Sequence, residues 1–385
     1  MTRARDIANF GDGVTAADIT DATITAAKMA DGAVEGAFTT QIGGRRNLII
    51  NGAMQVAQRG TSAITASGTT QFPVDRFGIQ QVDVGGSFTA QQSSTAPEGH
   101  SKSVVITVTG TGTPSGGDRA ILSQHVEGLN SAHLNWGTAN AKTVTLSFWV
   151  RSSLTGTFGG ALSNSSVNRA YPFTYSISSA DTWEQKTVTI SGDTSGTWLT
   201  TNGVGVRVYF GLSVGPDKSG TAGTWASADY RSATGATNLL GTNGATFYIT
   251  GVQLEVGSVA TPFEHRSYGE ELAACQRYYY QWNTNDQFNA IAIGMAEQSN
   301  ELRWVIPFHT EMRAKPAQSL SAAGDFTAWD ASHSSDLNTR LAYYAGKNSA
   351  FIRYNANTSG FTIGRALVLY AASNANAAMK FDAEL

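Results

Sequence analysis

Short runs of alternating apolar and polar residues, separated by turn-forming residues, recur through most of this chain. The clearest covers residues 144–150, where every second residue is apolar, and another covers 247–256, where Gly251 interrupts the alternation. A period of two places alternate side chains on opposite faces of a β-strand, and an interrupting glycine indicates a bulge. With 41 glycines and 14% charged residues, the composition also favours short strands joined by turns over helical bundles. The sequence therefore predicts a mainly β protein.

Residues 45–257 predict one large antiparallel domain. Its strands follow one another without a helical pattern between them, which favours a β-sandwich, with a jelly roll as the closest fit. The candidate strands are 47–56, 77–81, 103–108, 121–126, 143–150, 170–176, 184–190, 203–214 and 247–256. A connector over 258–275 contains a short helix, and 276–385 predict a second, smaller β-sandwich. Its candidate strands are 278–282, 290–295, 301–307, 318–321, 339–345, 350–354 and 366–371.

Residues 1–44 predict an extended, repeat-like arm instead of a domain. Large apolar residues recur there at intervals of five, at Val14, Ile19, Ile24, Met29 and Val34. This spacing fits neither a heptad nor a simple strand, and so short a tract supplies little more than one coil of a repeat structure. We expect three copies wound together to bury this ladder. A disordered linker is the alternative reading of the same composition.

Charge and cysteine usage exclude several classes of function. A net charge of -3 gives no electrostatic basis for binding nucleic acid or an anionic membrane surface. A single cysteine excludes an internal disulfide framework and a thiolate zinc site, and we expect Cys275 to be a buried, inert thiol. The first residues lack an apolar signal core and no apolar run could span a bilayer, so we expect synthesis in a cytoplasm and no membrane insertion.

The motifs give little support for catalysis. Residues 211–215 fit the Gly-x-Ser-x-Gly pattern of a nucleophile elbow, but that elbow needs a helix after the serine and Pro216 follows here. The histidines show no metal-ligand spacing, and we expect Asp325, Asp330 and Asp336 to be solvated turn residues instead of calcium ligands. The sequence therefore predicts no catalytic residue, no metal site and no cofactor.

Aromatic residues in turn-rich segments are the remaining candidates for ligand binding. Tryptophan and tyrosine rings stack on the apolar face of a sugar. The candidates are Trp136, Trp198, Trp225, Tyr230, Trp329, Tyr343 and Tyr344. For each of them, a place in the core or a subunit interface is the alternative. We expect Trp329 to be exposed, and Trp149 and Trp183 to belong to the core.

Several stretches resemble phage tail-fibre and tail receptor-binding proteins. They include Val-Gln-Leu-Glu-Val-Gly at 252–257, Ala-Thr-Pro-Phe-Glu-His-Arg at 260–266 and Cys-Gln-Arg-Tyr-Tyr-Tyr at 275–280. The opening at 47–60, the Val-Asp-Arg-Phe at 74–77 and the segment 379–385 are also similar to that family. The resemblance implies a jelly roll like that of carbohydrate-binding modules, followed by a trimeric C-terminal tip domain.

Together these observations predict a non-enzymatic structural protein of the virion. As a homotrimeric tail fibre it would recognise the host cell surface by multivalent binding, with a saccharide as the expected ligand and a surface protein as the other option. Its further partners would be tail or baseplate proteins, bound through the arm, and it would be assembled in the host cytoplasm. The alternatives are a tail-borne polysaccharide depolymerase and a purely structural tail adaptor or head fibre.

Overall fold

The computed structural model of the chain describes residues 46–283, 290–371 and 377–385. The arm over 1–44, with its ladder of Val14, Ile19, Ile24, Met29 and Val34, lies outside these residues. From Asn47 to Leu385 the chain forms one compact unit. It is built mainly from β-strands, which confirms the predicted fold class.

Two six-stranded antiparallel sheets form a sandwich in the first part of the described residues. The strands are β1 (Ile64–Thr65), β2 (Gln71–Val74), β3 (Phe77–Val82), β4 (Ser87–Ser93), β5 (Ser103–Gly110), β6 (Arg119–Glu127), β7 (Val144–Ser152), β8 (Gly156–Ser163), β9 (Ala170–Ile177), β10 (Glu184–Ile190), β11 (Val204–Val214), β12 (Ser219–Gly220), β13 (Ser232–Ala233) and β14 (Thr246–Val256). The sheet orders are β1-β4-β5-β14-β7-β10 and β2-β3-β6-β11-β8-β9, and β12 and β13 pair separately. This is the expected jelly roll.

Alternation along the strands explains the core of the sandwich. On β7, Val144, Leu146, Phe148 and Val150 are fully buried between the two sheets. On β14, Gly251 has a φ of 61°, and the pairing with β7 shifts register between Thr250 and Gln253. The predicted bulge is therefore present at the glycine.

The expected first strand, over 47–56, is wrong. Asn51 and Met54 adopt positive φ angles there, and the Asn51 side-chain amide donates to the backbone oxygens of Val56 and Asp75, both at 2.8 Å. These bonds close a turn, so the apolar Leu48 and Ile49 pack into the core without belonging to a strand. The large apolar residues of 47–56 are therefore buried, as their character predicts, but their backbone does not form the expected strand.

The second β region is a closed barrel flanked by a small sheet, instead of the predicted second sandwich. Its strands are β15 (Tyr279–Asn283), β16 (Ala290–Ala296), β17 (Glu301–Pro307), β18 (Ala317–Leu320), β19 (Phe326–Trp329), β20 (Ser334–Ala345), β21 (Ser349–Ala356), β22 (Ala366–Ala371) and β23 (Ala378–Asp382). The barrel order is β16-β17-β21-β20-β19-β22, and β15-β23-β18 form the sheet. The barrel closes because β22 pairs with both β16 and β19.

Helices are short in the described residues. They are α1 (Gly128–Ser131), α2 (Tyr268–Gln276) and the 3-10 turns Ala132–Leu134, Pro216–Lys218, Leu239–Gly241 and Ala323–Asp325. None of them is long and apolar enough to cross a membrane. The predicted connector helix is α2, which begins at a capping box formed by Ser267 and Glu270. It buries Cys275, as expected, and this burial raises the pKa of the thiol.

A buried ion pair links the sandwich to the segment that leads into the barrel. The Arg277 guanidinium donates two hydrogen bonds to the Glu127 carboxylate, at 2.8 and 2.6 Å, and the Tyr278 hydroxyl donates a third at 2.7 Å. Burial alone would raise the pKa of Glu127, but these hydrogen bonds hold it below its usual value. Glu127 therefore stays charged and fixes the chain between α2 and β15 against β6.

Candidate functional site

Three of the predicted tryptophans meet at one end of the sandwich. Trp136 follows α1, Trp198 lies between β10 and β11, and Trp225 lies between β12 and β13. Their ring centroids are 4.7 Å apart for Trp136 and Trp198, and 5.4 Å apart for each other pair, all in edge-to-face geometry. We call these residues the tryptophan triad. Sequence positions 136, 198 and 225 are thus brought together by three separate loops.

Backbone carbonyls fix the orientation of each indole in the triad. The Nε1–H group of Trp136 donates to Lys142 O at 2.8 Å, that of Trp198 to Ser195 O at 3.1 Å, and that of Trp225 to Ser191 O at 2.8 Å. Each polar edge is therefore already satisfied within the chain. What the rings offer to a ligand is carbon surface.

A pocket of about 130 Å³ opens beside Trp136 and Trp198. Its walls come from two segments of the chain, 131–138 and 198–206, and its remaining lining residues are Ser131, Ala132, Leu134, Asn135, Thr138, Leu199, Thr200 and Val206. Leu134 and Val206 are both 1% exposed, so they form the floor, whereas the polar Asn135, Thr138 and Thr200 are exposed at the rim. Of the described residues that line it, none is charged. An apolar floor under a polar rim is the arrangement of a small-molecule pocket.

The Arg169–Asp193 ion pair holds the Trp198 loop. Arg169 donates two hydrogen bonds to the Asp193 carboxylate, at 2.8 and 2.6 Å, and a third to Ser227 Oγ at 2.9 Å. Asp193 is buried, its backbone oxygen accepts from Gly137 N at 2.7 Å, and its carboxylate accepts from Ser195 N at 3.1 Å. One ion pair therefore ties the loops of all three triad members together. The hydrogen bonds to Asp193, more than offsetting burial, raise the pKa of Arg169.

Sequence reasoning identified the aromatic walls of the pocket and missed the rest. Asn135, Thr138, Leu199 and Thr200 were not expected, although Asn135 precedes Trp136 and Gly137 in a turn-forming run and has a φ of 53°. Tyr230, which was expected to bind ligand, is not among the lining residues. Its ring instead packs against Gly220, where an added Cβ would lie 2.3 Å from it.

The three aromatic candidates of the barrel do not form a pocket together. Trp329 and Tyr344 are exposed on the outer wall. Tyr343 points the other way because successive residues of β20 alternate, and its hydroxyl donates to Pro316 O at 2.7 Å. Burial raises the pKa of Tyr343 to about 12. The expectation that Trp329 is exposed is correct, whereas the Tyr343 hydroxyl is hydrogen-bonded within the chain.

Trp329 and Tyr344 lie at the two ends of an apolar row that crosses all six barrel strands. Cross-strand pairing joins Tyr344 to Phe351, Phe351 to Val305, Ile293 to Val368 and Val368 to Trp329. Continuing the register of Gly294 and Trp304 by one position places Ile293 beside Val305. We call these residues the barrel stripe: Tyr344, Phe351, Val305, Ile293, Val368 and Trp329. Ile293 is 75% exposed and Tyr344 65%.

Charges beside the barrel stripe neutralise one another. Arg303 contacts Glu297, and Arg353 contacts both Glu297 and Glu301, each at 2.6 Å. Arg303 and Arg353 pair across β17 and β21, two positions along from Val305 and Phe351. The stripe is therefore a continuous apolar surface bordered by paired charges. Exposed apolar surface of this kind marks interaction sites.

Trp149 and Trp183 are not core residues, contrary to expectation. Both are half-buried, and the Trp183 ring lies 6.1 Å from Tyr248, which is also half-buried. Trp149 lies on the opposite face of β7 from the fully buried Phe148 and Val150. Alternation within β7 therefore predicts the orientation of Trp149 better than its residue type does.

The serine and aspartate motifs have structural roles in the described residues. Ser213 lies within β11, is buried and donates to Asn238 Oδ1 at 2.6 Å, and a 3-10 turn follows instead of an elbow helix. Asp330 is buried and accepts from the backbone N–H groups of Ser332, His333 and Thr362 at 2.8–3.1 Å. Burial alone would raise the pKa of Asp330, but these bonds hold it well below its usual value. No group of three or more potential metal ligands occurs in the part of the chain that the structure describes.

Comparison with known proteins gives structural neighbours only. No protein-family model matches the chain, and none of the curated proteins matches it. Among solved structures it is similar to the enzymatically active domain of tailspike protein 4 from bacteriophage CBA120, with 13% identity and a TM-score of 0.31. That match covers 55% of this chain but only 21% of the tailspike chain.

Two carbohydrate-binding modules are similar at the same level. TmCBM61, solved with β-1,4-galactotriose, has 10% identity and a TM-score of 0.27, over 55% of this chain and 100% of its own. The family 11 module from Clostridium thermocellum has 12% identity and a TM-score of 0.27, over 52% and 99%. The neighbours of this chain thus include a tailspike domain and carbohydrate-binding modules, at low identity and partial coverage.

Proposed function

We propose that this chain is a structural protein of a phage virion that binds a saccharide of the host surface in the pocket beside Trp136 and Trp198. The observation that carries the proposal is the pocket itself. Two fixed indoles present carbon surface, the floor is apolar and the rim is polar, which suits a ring with one apolar face and hydroxyls at its edge. No carboxylate is among the described lining residues, so the pocket supports binding instead of hydrolysis.

The assignment to a tail fibre is supported by the stretches that resemble tail receptor-binding proteins, above all 252–280. In this proposal the arm over 1–44 attaches the protein to the tail or baseplate. The jelly roll binds the saccharide, and the barrel assembles the fibre. These roles make the protein a component of the virion tail.

Homotrimer formation is supported by the barrel stripe. Its six residues carry no charge, and the neighbouring arginines are paired within the same chain. Two copies can therefore meet along the stripe without repulsion between like charges, and water is displaced from exposed apolar surface. Three identical subunits then present three pockets, and a weak single-site affinity suffices because the sites act together.

The proposal is tested with the full chain in two measurements. Labelled protein should bind susceptible cells and their purified surface polysaccharide, and Trp198→Ala should weaken binding to both roughly 100-fold. Sedimentation at micromolar concentration should give the mass of three chains, and a chain without residues 1–44 shows whether the arm contributes. Binding that is unchanged in Trp198→Ala would refute the site, and a wild-type monomer would refute the trimer.

A further inference from the structure

The floor of the pocket restricts the class of sugar that it can hold, if the proposed function is right. Leu134 and Val206 form the floor, and the indole N–H groups beside them are already bonded to backbone oxygens. Among the described lining residues, Ser131 supplies the buried hydroxyl, which lies 3.4 Å from Glu127 O and Gly128 O. A ligand hydroxyl placed against Leu134 or Val206 would therefore lose its water without gaining a partner.

An apolar substituent has no such cost in this position. A methyl group against Leu134 and Val206 would be removed from water among carbon atoms, with nothing left unpaired. The hydroxyls of the same sugar would face the rim. There the side chains of Asn135 and Thr200 make no hydrogen bond to any other described residue, so both are available to a ligand.

The charge and the volume of the pocket further restrict the class of ligand. None of the described lining residues could pair with a carboxylate or an ammonium group, so a charged sugar would be desolvated without compensation. The volume of about 130 Å³ is slightly below the roughly 150 Å³ of an engineered cavity that holds benzene. The pocket therefore has room for a single sugar ring or part of one.

From these observations we infer that the pocket selects one neutral sugar unit bearing a methyl group, and that the methyl group enters against Leu134 and Val206. Two kinds of sugar supply this chemistry: a 6-deoxyhexose, through its C5 methyl group, and an N-acetylhexosamine, through its acetyl group. Both are neutral and carry one methyl group, which is attached to the ring in the first and ends the acetamido group in the second. The experiment below distinguishes them.

The test is competition for the full chain between labelled host polysaccharide and free sugars in matched pairs. The pairs are L-fucose with L-galactose, L-rhamnose with L-mannose, and N-acetylglucosamine with glucose, and glucuronate is the charged comparison. At least one methyl-bearing sugar should compete roughly tenfold or more better than its partner. The pair that shows the difference identifies the source of the methyl group.

Val206→Thr provides the matched variant, because it places a hydroxyl on the floor at nearly constant volume. It should bind the polysaccharide more weakly than the wild type does and lose most of the discrimination within the pair. Equal competition within every pair, or stronger competition by glucuronate, would overturn the inference while the proposed function stood. If the polysaccharide itself does not bind, the proposed function fails and the inference with it.

Discussion

The tryptophan triad and the barrel stripe use the same kinds of residue in opposite ways. In the sandwich, loops bring Trp136, Trp198 and Trp225 together, the first two line a concave pocket, and each indole N–H is bonded to the backbone. In the barrel, Trp329 and Tyr344 lie on a convex wall, in a row set by strand pairing. A concave site can enclose a small ligand, whereas a convex row can only be covered by another large surface. The contrast separates the proposed ligand site from the proposed subunit interface.

A charge on the stripe should have the largest effect. Ile293→Glu places a carboxylate in the middle of the apolar row, where burial between subunits would leave it unpaired. We expect sedimentation to show monomers, and apparent affinity for cells to fall roughly 100-fold or more through the loss of multivalency. The single-site affinity should be unchanged. Ile363→Glu, at an equally exposed position outside the stripe, is the control and should remain trimeric.

Removing one wall of the pocket should have the next largest effect. Trp198→Ala leaves a half-exposed position without its ring, so the fold should be retained while single-site affinity falls roughly 100-fold, as for other tryptophan hot spots. Calorimetry with oligosaccharides from the host polysaccharide measures this value. Trp329→Ala is the matched change in the barrel. An equal loss of single-site affinity in this variant would contradict the proposal that the saccharide binds in the sandwich and that the barrel stripe is an interface.

Asp75, a buried residue between β2 and β3, should make stability depend on pH. Burial, opposed by Arg59 and Gln58, raises the pKa of Asp75 to about 6. Because the folded pKa exceeds the unfolded value of about 3.9, the stabilising contribution is complete below about pH 4 and is lost as pH rises through 6. Relative to Asp75→Asn, the wild-type free energy of unfolding should fall by roughly 3 kcal/mol across this interval. Denaturant unfolding at pH 4, 5, 6 and 7 measures it.

Asp330 in the barrel should behave in the opposite way. Its pKa is depressed by backbone N–H groups, so its contribution is present above the unfolded value and is lost as pH falls below about 4. The free energy of unfolding of the wild type, relative to that of Asp330→Asn, should therefore decrease on acidification. Relative to Asp75→Asn, it should increase. The same sign for both differences would show that one of the two environments is misassigned.

The smallest expected effect is at the ion pair that positions Trp198. Arg169→Lys keeps the charge but cannot donate two parallel hydrogen bonds to Asp193. We expect roughly three- to tenfold weaker saccharide binding, since the Trp198 loop would be held less firmly. Near-ultraviolet circular dichroism of the triad should change while the unfolding midpoint changes little. Undiminished affinity would mean that the loop is positioned without Arg169.

The strands were predictable where alternation was strong and unpredictable where glycine replaced it. β7, β10 and β17 carry regular patterns, whereas β8 contains Gly159 and Gly160 and was missed. Gly160 is needed there because a Cβ would lie 2.4 Å from the Phe173 ring and 2.3 Å from Tyr209 O. Closure of the barrel could not be predicted from the sequence either, because the strands of a sandwich and those of a barrel show the same two-residue alternation of side chains.

The candidate site was predictable by residue type and not by position. The search for aromatic residues in turn-rich segments identified Trp136 and Trp198. Tyr230 and Tyr343 met the same criterion, but they lie outside the pocket. What distinguishes them is the packing of separate loops through Arg169 and Asp193, which are 24 positions apart. The rim residues Asn135 and Thr200 carried no signal, because single polar residues in turns are common.

Photo-crosslinking locates the bound saccharide without assuming a site. Oligosaccharides from the surface polysaccharide of a susceptible host would carry a diazirine, be bound to the full-length wild-type chain and be irradiated, and the labelled peptides mapped by mass spectrometry. Label is expected within 131–138 and 198–206, the two segments that line the pocket. Label concentrated in the barrel, over 290–371, would contradict this expectation.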